Sequence, residues 1–412
     1  MTARRHCSSW ADLHPELLGL VLQRLPSPAD RARLRAVCKA WRREILPVPF
    51  PWLCLLDGTF LTVPEGDVPH FPSLLGDEDD ALCHGSVGSW LFLERTNDRS
   101  MSLVNLFSGD TITLPDADTI RHHDDDDDHD ARPMMYKPPV PLSSSSSPDS
   151  LLYAVLMTVG GFESVISICN SATTAAFRVP RSEVRICDIA FVGGKLYALS
   201  PKKLFVVDVD SSRRAGEPKV PSMECIDDDV DNPGDMYKTI GGESYRCAYW
   251  SYLVESRGKL LHVRRLVGHL STLVPQQYCY MDRSRTYMDR SRTFSFEVFE
   301  ADLTVRSCGQ WRRVHSLGGQ ALFVGPSSKS LLASECGARP DCIYFMADYD
   351  WARCYRKDPL CDCGVFNMRD GTITPLLPGT MVMRPNDDND DDDDEDEEFY
   401  LERVRPGWFF PC

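Results

Sequence analysis

With 412 residues, 42% of them hydrophobic, the chain can bury a sizeable core and is long enough for a small module plus one large domain or two medium ones. No stretch approaches the roughly 18 apolar residues that a bilayer-spanning helix requires, so no membrane segment is expected. The formal net charge of −16 is unevenly placed, because four acidic runs hold 25 acidic residues and no Lys or Arg, whereas the remainder of the chain has 36 acidic residues and 45 basic ones.

The four acidic runs are residues 77–80, 124–130, 227–231 and 387–398. Like charges at this density repel one another and resist packing, so the runs are predicted to be solvated insertions in a mildly basic body. None has the Gly turn and terminal Glu of a Ca²⁺-binding loop, although cation binding or attraction of basic partners stays open as a role. The basic body has no stripe of Lys and Arg with interleaved aromatic residues, so no nucleic-acid partner is expected.

The first predicted element is a pair of short amphipathic helices within residues 10–43. Pro15 suits a first helical turn, and Ser27 with Pro28 starts a second helix that has Asp30 near its positive end. The apolar residues of the two helices recur at helical spacing: Leu17, Leu18, Val21, Leu22, Leu25, Leu34, Val37, Cys38 and Trp41. A unit of about forty residues cannot hide all of them by itself. It is therefore either a cap that packs on the rest of the chain or a docking module for another protein.

The residue identities within this stretch resemble the F-box. The family pattern has a Leu-Pro start, a Glu-Leu-Leu helix, an Arg-Leu-Pro break and a Val-Cys-Lys-x-Trp-Arg end, and residues 13–15, 16–18, 24–26 and 37–42 match it in order. One departure is His14, which separates Leu13 from Pro15. The resemblance implies an F-box at residues 8–48 that binds a Skp-type adaptor and, through it, a cullin ubiquitin ligase.

The same resemblance implies a role for each apolar side chain of the helices. The residues expected to contact the adaptor are Leu13, Pro15, Leu17, Leu18, Val21, Leu22 and Leu25. The residues expected to hold the helices together, as the F-box core, are Leu34, Val37, Cys38 and Trp41. Neither set contains a catalytic, cofactor-binding or metal-binding residue.

After about Ile45 the helical pattern gives way to short β-type runs separated by Gly, Pro, Asn and Asp. Alternating apolar runs enter and leave tight turns at residues 192–199 and 255–263, and the pair Gly193-Gly194 is typical of a hairpin turn. Even strand spacing with little helix indicates a sandwich, a barrel or a propeller. Because this region exceeds 300 residues, blades of about 40–50 residues fit it better than one sandwich does.

Several blocks of this region resemble a single family. They are SLVNLFSG at 102–109, WRRVHSLGGQALFVG at 311–325, CIYF at 342–345, GVFNMRDG at 364–371 and PGWFFP at 406–411. The matching family is the plant F-box proteins with a KIB-type β-propeller, which implies a mostly β fold with a C-terminal β-propeller preceded by a small all-α F-box module. Residues 49–84 would be a linker and first propeller strand region. Residues 85–412 would be the propeller, with acidic low-complexity insertions at 118–150, 224–236 and 386–398.

Residues 280–286, YMDRSRT, are repeated at once by residues 287–293. An insertion of seven residues inside a strand would turn every later side chain to the other face of the sheet, since the strand period is two. A loop absorbs such an insertion at little entropic cost. The copy is therefore predicted to lie in a surface loop between blades, with a duplicated basic binding loop as the alternative.

The sequence contains no Walker loop, no G-x-S-x-G elbow and no H-E-x-x-H helix. Five of its 16 cysteines lie close together, namely Cys336, Cys342, Cys354, Cys361 and Cys363, but they lack the C-x-x-C pair of a structural zinc site. No apolar signal segment opens the chain, so reduced thiols in the cytoplasm, the nucleus or both are expected. Neither a metal nor a cofactor is expected.

Three functions fit these features. The first is a non-catalytic substrate-recognition subunit of an SCF-type ubiquitin ligase, whose F-box docks the adaptor and whose propeller binds an unknown target protein. The second is a propeller enzyme or metal-binding protein with the helices as a cap, for which Asp188, Asp208 and Asp302 at strand ends are the nearest candidates. The third is a diverged F-box protein without a current target, suggested by the duplicated heptapeptide, the Asp runs and His14. The resemblance favours the first.

Overall fold

The computed structural model describes residues 13, 17–18, 21, 24, 28–38, 41, 50–54, 60–63, 81–95, 100–114, 133–141, 153–159, 163–169, 174–178, 185–207, 223–227, 236–240, 243–270, 292–303, 311–348, 362–377 and 407–411. These parts of the chain contain 25 strands and two helices with given bounds, α1 (Pro28–Val37) and α2 (Ala333–Cys336), and Leu17, Leu18, Val21 and Trp41 also have helical backbone. The chain is therefore mostly β, as the sequence predicts.

Three sheets of four antiparallel strands follow one another along the chain, and we call them blades 1, 2 and 3. Blade 1 contains β3 (Ala81–Val87), β4 (Trp90–Arg95), β5 (Met101–Asn105) and β6 (Thr111–Leu114). Blade 2 contains β7 (Pro133–Pro141), β8 (Tyr153–Val159), β9 (Glu163–Cys169) and β10 (Thr174–Arg178). Blade 3 contains β11 (Asp188–Val192), β12 (Lys195–Leu199), β13 (Leu204–Val207) and β14 (Met223–Asp227). Within each blade the strands lie side by side in chain order, as in a meander.

Two sheets of five strands come next, blades 4 and 5. Blade 4 contains β15 (Met236–Ile240), β16 (Glu243–Ser256), β17 (Lys259–Leu270), β18 (Arg292–Ala301) and β19 (Trp311–Val314), again in chain order. Blade 5 contains β20 (Gln320–Val324), β21 (Lys329–Leu332), β22 (Cys342–Phe345), β23 (Gly364–Asn367) and β24 (Ile373–Pro375). Its order is β21-β20-β22-β23-β24, and β20 and β22 run parallel because the chain crosses over through β21 and α2 between them.

Both ends of this region meet in a sixth, three-stranded sheet, which we call the closing sheet. Its strands are β1 (Trp52–Cys54), β2 (Phe60–Leu61) and β25 (Gly407–Phe409), in the order β2-β1-β25. The Trp408 indole lies on the blade 5 side and donates a hydrogen bond from Nε1 to the Val324 carbonyl at 3.0 Å. On the blade 1 side, the rings of Trp52 and Phe409 pack in one cluster with Leu91. The two chain ends therefore join blade 5 to blade 1.

The apolar core is divided among the contacts between neighbouring sheets. Separate buried clusters join the closing sheet to blade 1, blade 1 to blade 2, blade 2 to blade 3, blade 3 to blade 4, blade 4 to blade 5, and blade 5 back to the closing sheet. Strand β12 is buried along nearly its whole length because it has a sheet on each face, whereas the outer strand β6 alternates exposed and buried residues. This closed ring of sheets is a β-propeller, which confirms the predicted architecture.

One strand of each sheet lines the axis of the ring. Contacts between sheets run from β25 to β3, β3 to β7, β7 to β11, β11 to β16 and β16 to β21. Polar side chains link several of these strands across the sheet boundaries. The Ser86 hydroxyl donates to the Trp408 carbonyl at 2.7 Å, and the Ser256 and Ser330 hydroxyls are 2.8 Å apart.

Two of the predicted acidic insertions are partly wrong. The range 118–150 contains β7, an axis-lining strand, and the range 224–236 contains most of β14 and the first residue of β15. Strand β7 is unusually rich in proline, and two irregularities in its register against β8 accommodate residues that cannot join a regular ladder. The third insertion, 386–398, lies outside the described residues, as do the acidic runs 77–80, 124–130 and 387–398 and all but Asp227 of the run 227–231.

The duplicated heptapeptide is also partly misplaced by the sequence analysis. Its first copy lies outside the described residues, but the second copy ends with Arg292 and Thr293 inside β18. Thr293 is buried, so this end of the copy is not a surface loop. The pairing of β17 with β18 skips Phe294, since Leu266 pairs with Ser295 and Val267 with Thr293. A β-bulge at Phe294 thus accommodates the change of register.

Candidate functional site

The helical module before the propeller has a small core of its own. Leu18 and Trp41 are buried, and Leu13, Leu34 and Cys38 pack against them. The backbone N–H of Trp41 donates to the Cys38 thiol at 3.4 Å, which holds the chain just after α1 against this cluster. Asp30 in the first turn of α1 pairs with Arg33 at 2.8 Å, one turn later.

The same module exposes large apolar side chains. Leu17 is 51% exposed, Val21 38% and Val37 57%. Leu17 and Val21 have helical backbone and are four residues apart, so they lie on one face of their helix. Among the described residues whose side-chain exposure is given, the one other large hydrophobic side chain that is exposed is Tyr237 in blade 4. Exposed apolar surface is therefore concentrated on the helical module.

Two of the residue roles predicted for this module need correction. Leu18, predicted to contact the adaptor, is buried in the module, because it follows Leu17 directly and so points about 100° away from it on the helix. Val37, predicted to hold the helices together, is exposed for the same reason, since it directly precedes the core residue Cys38. Leu34, Cys38 and Trp41 pack together with Leu18 in the core of the module.

The remaining adaptor residues fall into two groups. Leu13 is partly buried against the module's core, so at most part of its surface is available to another protein. Pro15, Leu22 and Leu25 lie outside the described residues. Exposure of Leu17 and Val21 is thus the structural feature that bears on docking.

The aspartates proposed for a catalytic or metal-binding propeller do not form a site in the described structure. Asp188 is buried on the axis strand β11, where Lys137 Nζ lies 2.8 Å from its carboxylate and the Leu253 backbone N–H donates to it at 2.9 Å. Burial raises the pKa of Asp188, while Lys137 opposes the rise. Asp188 thereby ties blades 2, 3 and 4 together. Asp302 is exposed just after β18, and Asp208 lies outside the described residues.

The cysteine cluster is part of the propeller core where it is described. Cys336, Cys342 and Cys363 are buried in the apolar cluster between blade 5 and the closing sheet, and burial raises the pKa of Cys336 and Cys342. Cys354 and Cys361 lie outside the described residues. No group of three or more His, Cys, Asp or Glu residues suited to a metal ion occurs within the described ranges. In the same parts of the chain, no helix is long and apolar enough to cross a bilayer.

A buried cluster of charges between blades 4 and 5 was not predicted from the sequence. Arg265 on β17 is fully buried and lies 2.9 Å from both the Asp348 and the Asp362 carboxylates. It also donates to the Met346 carbonyl at 2.6 Å and from Nε to the Thr293 hydroxyl at 2.8 Å. A pair of adjacent Arg residues among the apolar residues of the strand segment VRRLV was the available signal, because a buried charge requires partners.

Comparisons with known proteins agree with this architecture. A family model for the F-box domain matches residues 10–52, and a family model described as the KIB1-4 beta-propeller matches residues 60–367. No curated protein matched the sequence. Among solved structures, a mutant of Synechocystis apocarotenoid oxygenase matches with 12% identity and a TM-score of 0.30. The match covers 71% of this chain and 58% of the oxygenase chain. So distant a likeness carries no argument. The family matches confirm both resemblances, and the chain belongs to the KIB1-4 β-propeller family with an F-box ahead of its propeller.

Proposed function

We propose that this protein is the substrate-recognition subunit of an SCF-type ubiquitin ligase. Its F-box would dock a Skp-type adaptor and, through the adaptor, a cullin, while its propeller would bind the target protein. The observation that carries the proposal is the exposure of Leu17 and Val21 on a helical module that matches the F-box family. Large exposed apolar side chains gathered in one place are typical of a surface that a partner covers.

The energetics of docking fit such a role. Fully burying a Leu or Val side chain contributes about 1.5–3 kcal/mol relative to leaving it exposed. Leu17 is half exposed and Val21 somewhat less, so each would contribute roughly half of that range when an adaptor covers it. Several such contacts are needed to offset the loss of rotational and translational freedom on association. Leu22 and Leu25, which were also predicted to contact the adaptor, are expected to supply further contacts.

A receptor of this kind performs no chemistry itself. It binds the ligase with one domain and the target with the other, which raises the effective concentration of a target lysine near the charged ubiquitin carrier. The proposal places the protein in the cytoplasm, the nucleus or both. In keeping with a reducing compartment, nine of the cysteines within the described ranges are free thiols.

Capture of a recombinant Skp-type adaptor by the full chain tests the proposal. Wild-type protein is expected to co-elute with the adaptor in size-exclusion chromatography, and the Leu17→Asp, Val21→Asp double variant is expected to lose the complex, because two carboxylates would be buried in an apolar interface. Tyr237→Asp is the matched control, since it makes the same change at an exposed apolar residue of the propeller. Circular dichroism of each variant verifies that the propeller is folded.

Two results would contradict the proposal. One is undiminished adaptor capture by the double variant, which would mean that the exposed face does not dock the adaptor. The other is failure of the folded wild-type chain to bind the adaptor at all, which would favour a diverged F-box.

A further inference from the structure

One end of blade 4 extends past its contact with blade 3. The lower part of β16 belongs to the ring, since Leu253 bonds to Asp188 of blade 3 and Ser256 to Ser330 of blade 5. Strand β15 instead pairs with residues 243–247 of β16, six or more residues before Leu253. At about 3.3 Å per residue, this pairing starts about 20 Å along the strand from the contact with blade 3. Strand β15 therefore lies well away from the contact with blade 3, although Thr293 of the same blade bonds to Asp362 of blade 5.

Strand β15 is also the last strand on its side of blade 4. The strand order of the sheet begins with β15, so one edge of its backbone lies outside the ladder of hydrogen bonds that the described strands form. Its middle residues Tyr237, Lys238 and Thr239 are exposed. Edge strands of this kind are the templates on which extended peptides add a further strand.

Two cationic side chains lie on one face of this end of blade 4, Lys238 on the edge strand β15 and Arg292 on β18, three strands further into the sheet. In the register of the sheet, Lys238 lies directly opposite Tyr245. The guanidinium of Arg292 lies over the rings of Tyr245 and Phe294, at 4.8 and 5.1 Å from their centroids. Both cationic side chains are exposed, and stacking on the two rings holds Arg292 in place before any partner arrives.

The platform under these charges is a small apolar cluster within blade 4, beside Thr293, which bonds to Asp362 of blade 5. Tyr245, Cys247 and Leu266 form a buried cluster to which Phe294 contributes, with the rings of Tyr245 and Phe294 edge to face at 5.2 Å. Phe294 covers Gly268 so closely that a Cβ at this glycine would lie 2.1 Å from the ring. The bulge in β18 places Phe294 here, and its neighbours Arg292 and Thr293 are the end of the duplicated heptapeptide. The second copy of the repeat thus supplies one of the exposed charges.

We propose that the target protein docks here through an extended acidic segment that adds as a strand to the edge of β15 that no described strand occupies. Successive residues of a strand point to opposite faces, so acidic side chains of the segment would lie on the face that carries Lys238 and Arg292, while alternate residues would lie on the face that carries Tyr237. The exposed charged side chains that the structure describes on this end of blade 4 are Lys238 and Arg292, both positive. The inference rests on the proposed function, because it assigns the propeller surface that would recognise the target.

Binding of a model peptide to the full chain tests this surface. The probe is a fluorescein-labelled decapeptide of alternating Glu and Thr, with alternating Lys and Thr as its counterpart, measured by fluorescence anisotropy. The acidic peptide is expected to bind more tightly than the basic one, and the Lys238→Glu, Arg292→Glu double variant to bind it about tenfold more weakly. Lys202→Glu is the matched control, an exposed Lys in the turn between β12 and β13, and it should bind as wild type does.

Several outcomes would overturn the inference. These are equal binding of the two peptides, no binding of the acidic peptide, and equal weakening by Lys202→Glu. A further one is binding that appears only after the acids of residues 387–398 are replaced by Ser, which would mean that the chain's own acidic run occupies the surface. The Leu17→Asp, Val21→Asp variant should keep the peptide and lose the adaptor, whereas the charge-reversal variant should do the opposite. Failure of this docking surface is thereby distinguishable from failure of the receptor function.

Discussion

Replacing Arg265 with Met tests whether the buried charge cluster holds blades 4 and 5 together. Breaking a buried ion pair by removing one partner lowers the free energy of unfolding by about 3–5 kcal/mol, because a charge is left buried without compensation. Methionine retains most of the apolar length of the Arg side chain, so the loss reports on the guanidinium group. The variant should therefore unfold at a clearly lower urea concentration than wild type.

The hydrogen bonds that survive the substitution place the loss at the low end of that range. Asp348 keeps the Tyr252 hydroxyl, which donates to it at 2.8 Å. Asp362 keeps two donors, the Thr293 backbone N–H at 3.1 Å and the Thr293 hydroxyl at 2.7 Å. Because Asp348 keeps one hydrogen bond and Asp362 keeps two, the expected loss in the free energy of unfolding is about 3 kcal/mol.

Urea unfolding of the full chain, followed by tryptophan fluorescence, gives the measurement. Arg313→Met is the matched control, because Arg313 is half exposed and pairs with Glu297 at 3.1 Å on the same blade, and exposed pairs contribute less than about 1 kcal/mol. Adding Asp348→Asn and Asp362→Asn to Arg265→Met removes the two carboxylate charges, so this triple variant should regain part of the lost stability. A loss for Arg265→Met no greater than that for Arg313→Met would refute the reasoning.

Three further predictions concern the packing of the module and of blade 4. Leu18→Ala should destabilise the helical module by about 2–5 kcal/mol and weaken adaptor capture, with an unchanged urea midpoint for the propeller; unaltered capture would contradict its place in the module's core. Gly268→Ala should destabilise blade 4 by about 1–3 kcal/mol, because the added methyl group would overlap the Phe294 ring. The added change Phe294→Leu should recover part of this loss, and an unchanged stability of Gly268→Ala would mean that the ring moves aside. Burial and then the charge of Arg264 lower the pKa of His262 to about 3, against 6.5 in the unfolded chain, so this imidazole is neutral in the fold. Stability should therefore fall as pH drops from about 6.5 towards 3, by up to about 1.4 kcal/mol per pH unit, and His262→Gln should flatten that dependence in urea titrations.

Local patterns predicted the parts of the fold that depend on neighbours in the sequence. The hairpin of β11 and β12 turns at Gly193 and Gly194, both with positive φ, where the glycine pair indicated it. The hairpin of β16 and β17 likewise turns at Gly258. Strand β7 was missed because its prolines and the adjoining Asp run are typical of a loop, and its place at the axis depends on blades 1 and 3 covering it.

Contacts between distant residues could not be read in the same way. Arg265 finds its partners Asp348 and Asp362 at sequence separations of 83 and 97, and no periodicity connects residues so far apart. The roles of Leu18 and Val37 were misassigned for a related reason. Helical spacing identifies apolar residues, but in a module that is apolar on two faces it does not say which face meets its own partner helix and which meets solvent.

The closing sheet also constrains how a receptor of this kind would work. The chain passes from Trp41, the last described residue of the helical module, to Phe50 at the entry to the closing sheet in nine residues. A fully extended chain of that length spans at most about 30 Å, so the helical module is tethered close to the sheet that joins blade 5 to blade 1. Blade 4, which carries the proposed docking strand, adjoins blade 5 in the ring. The short tether between module and propeller, together with the packed ring of blades, would keep the distance between adaptor and target within narrow limits. A narrow range of distances is the condition under which binding two partners raises their effective concentration most.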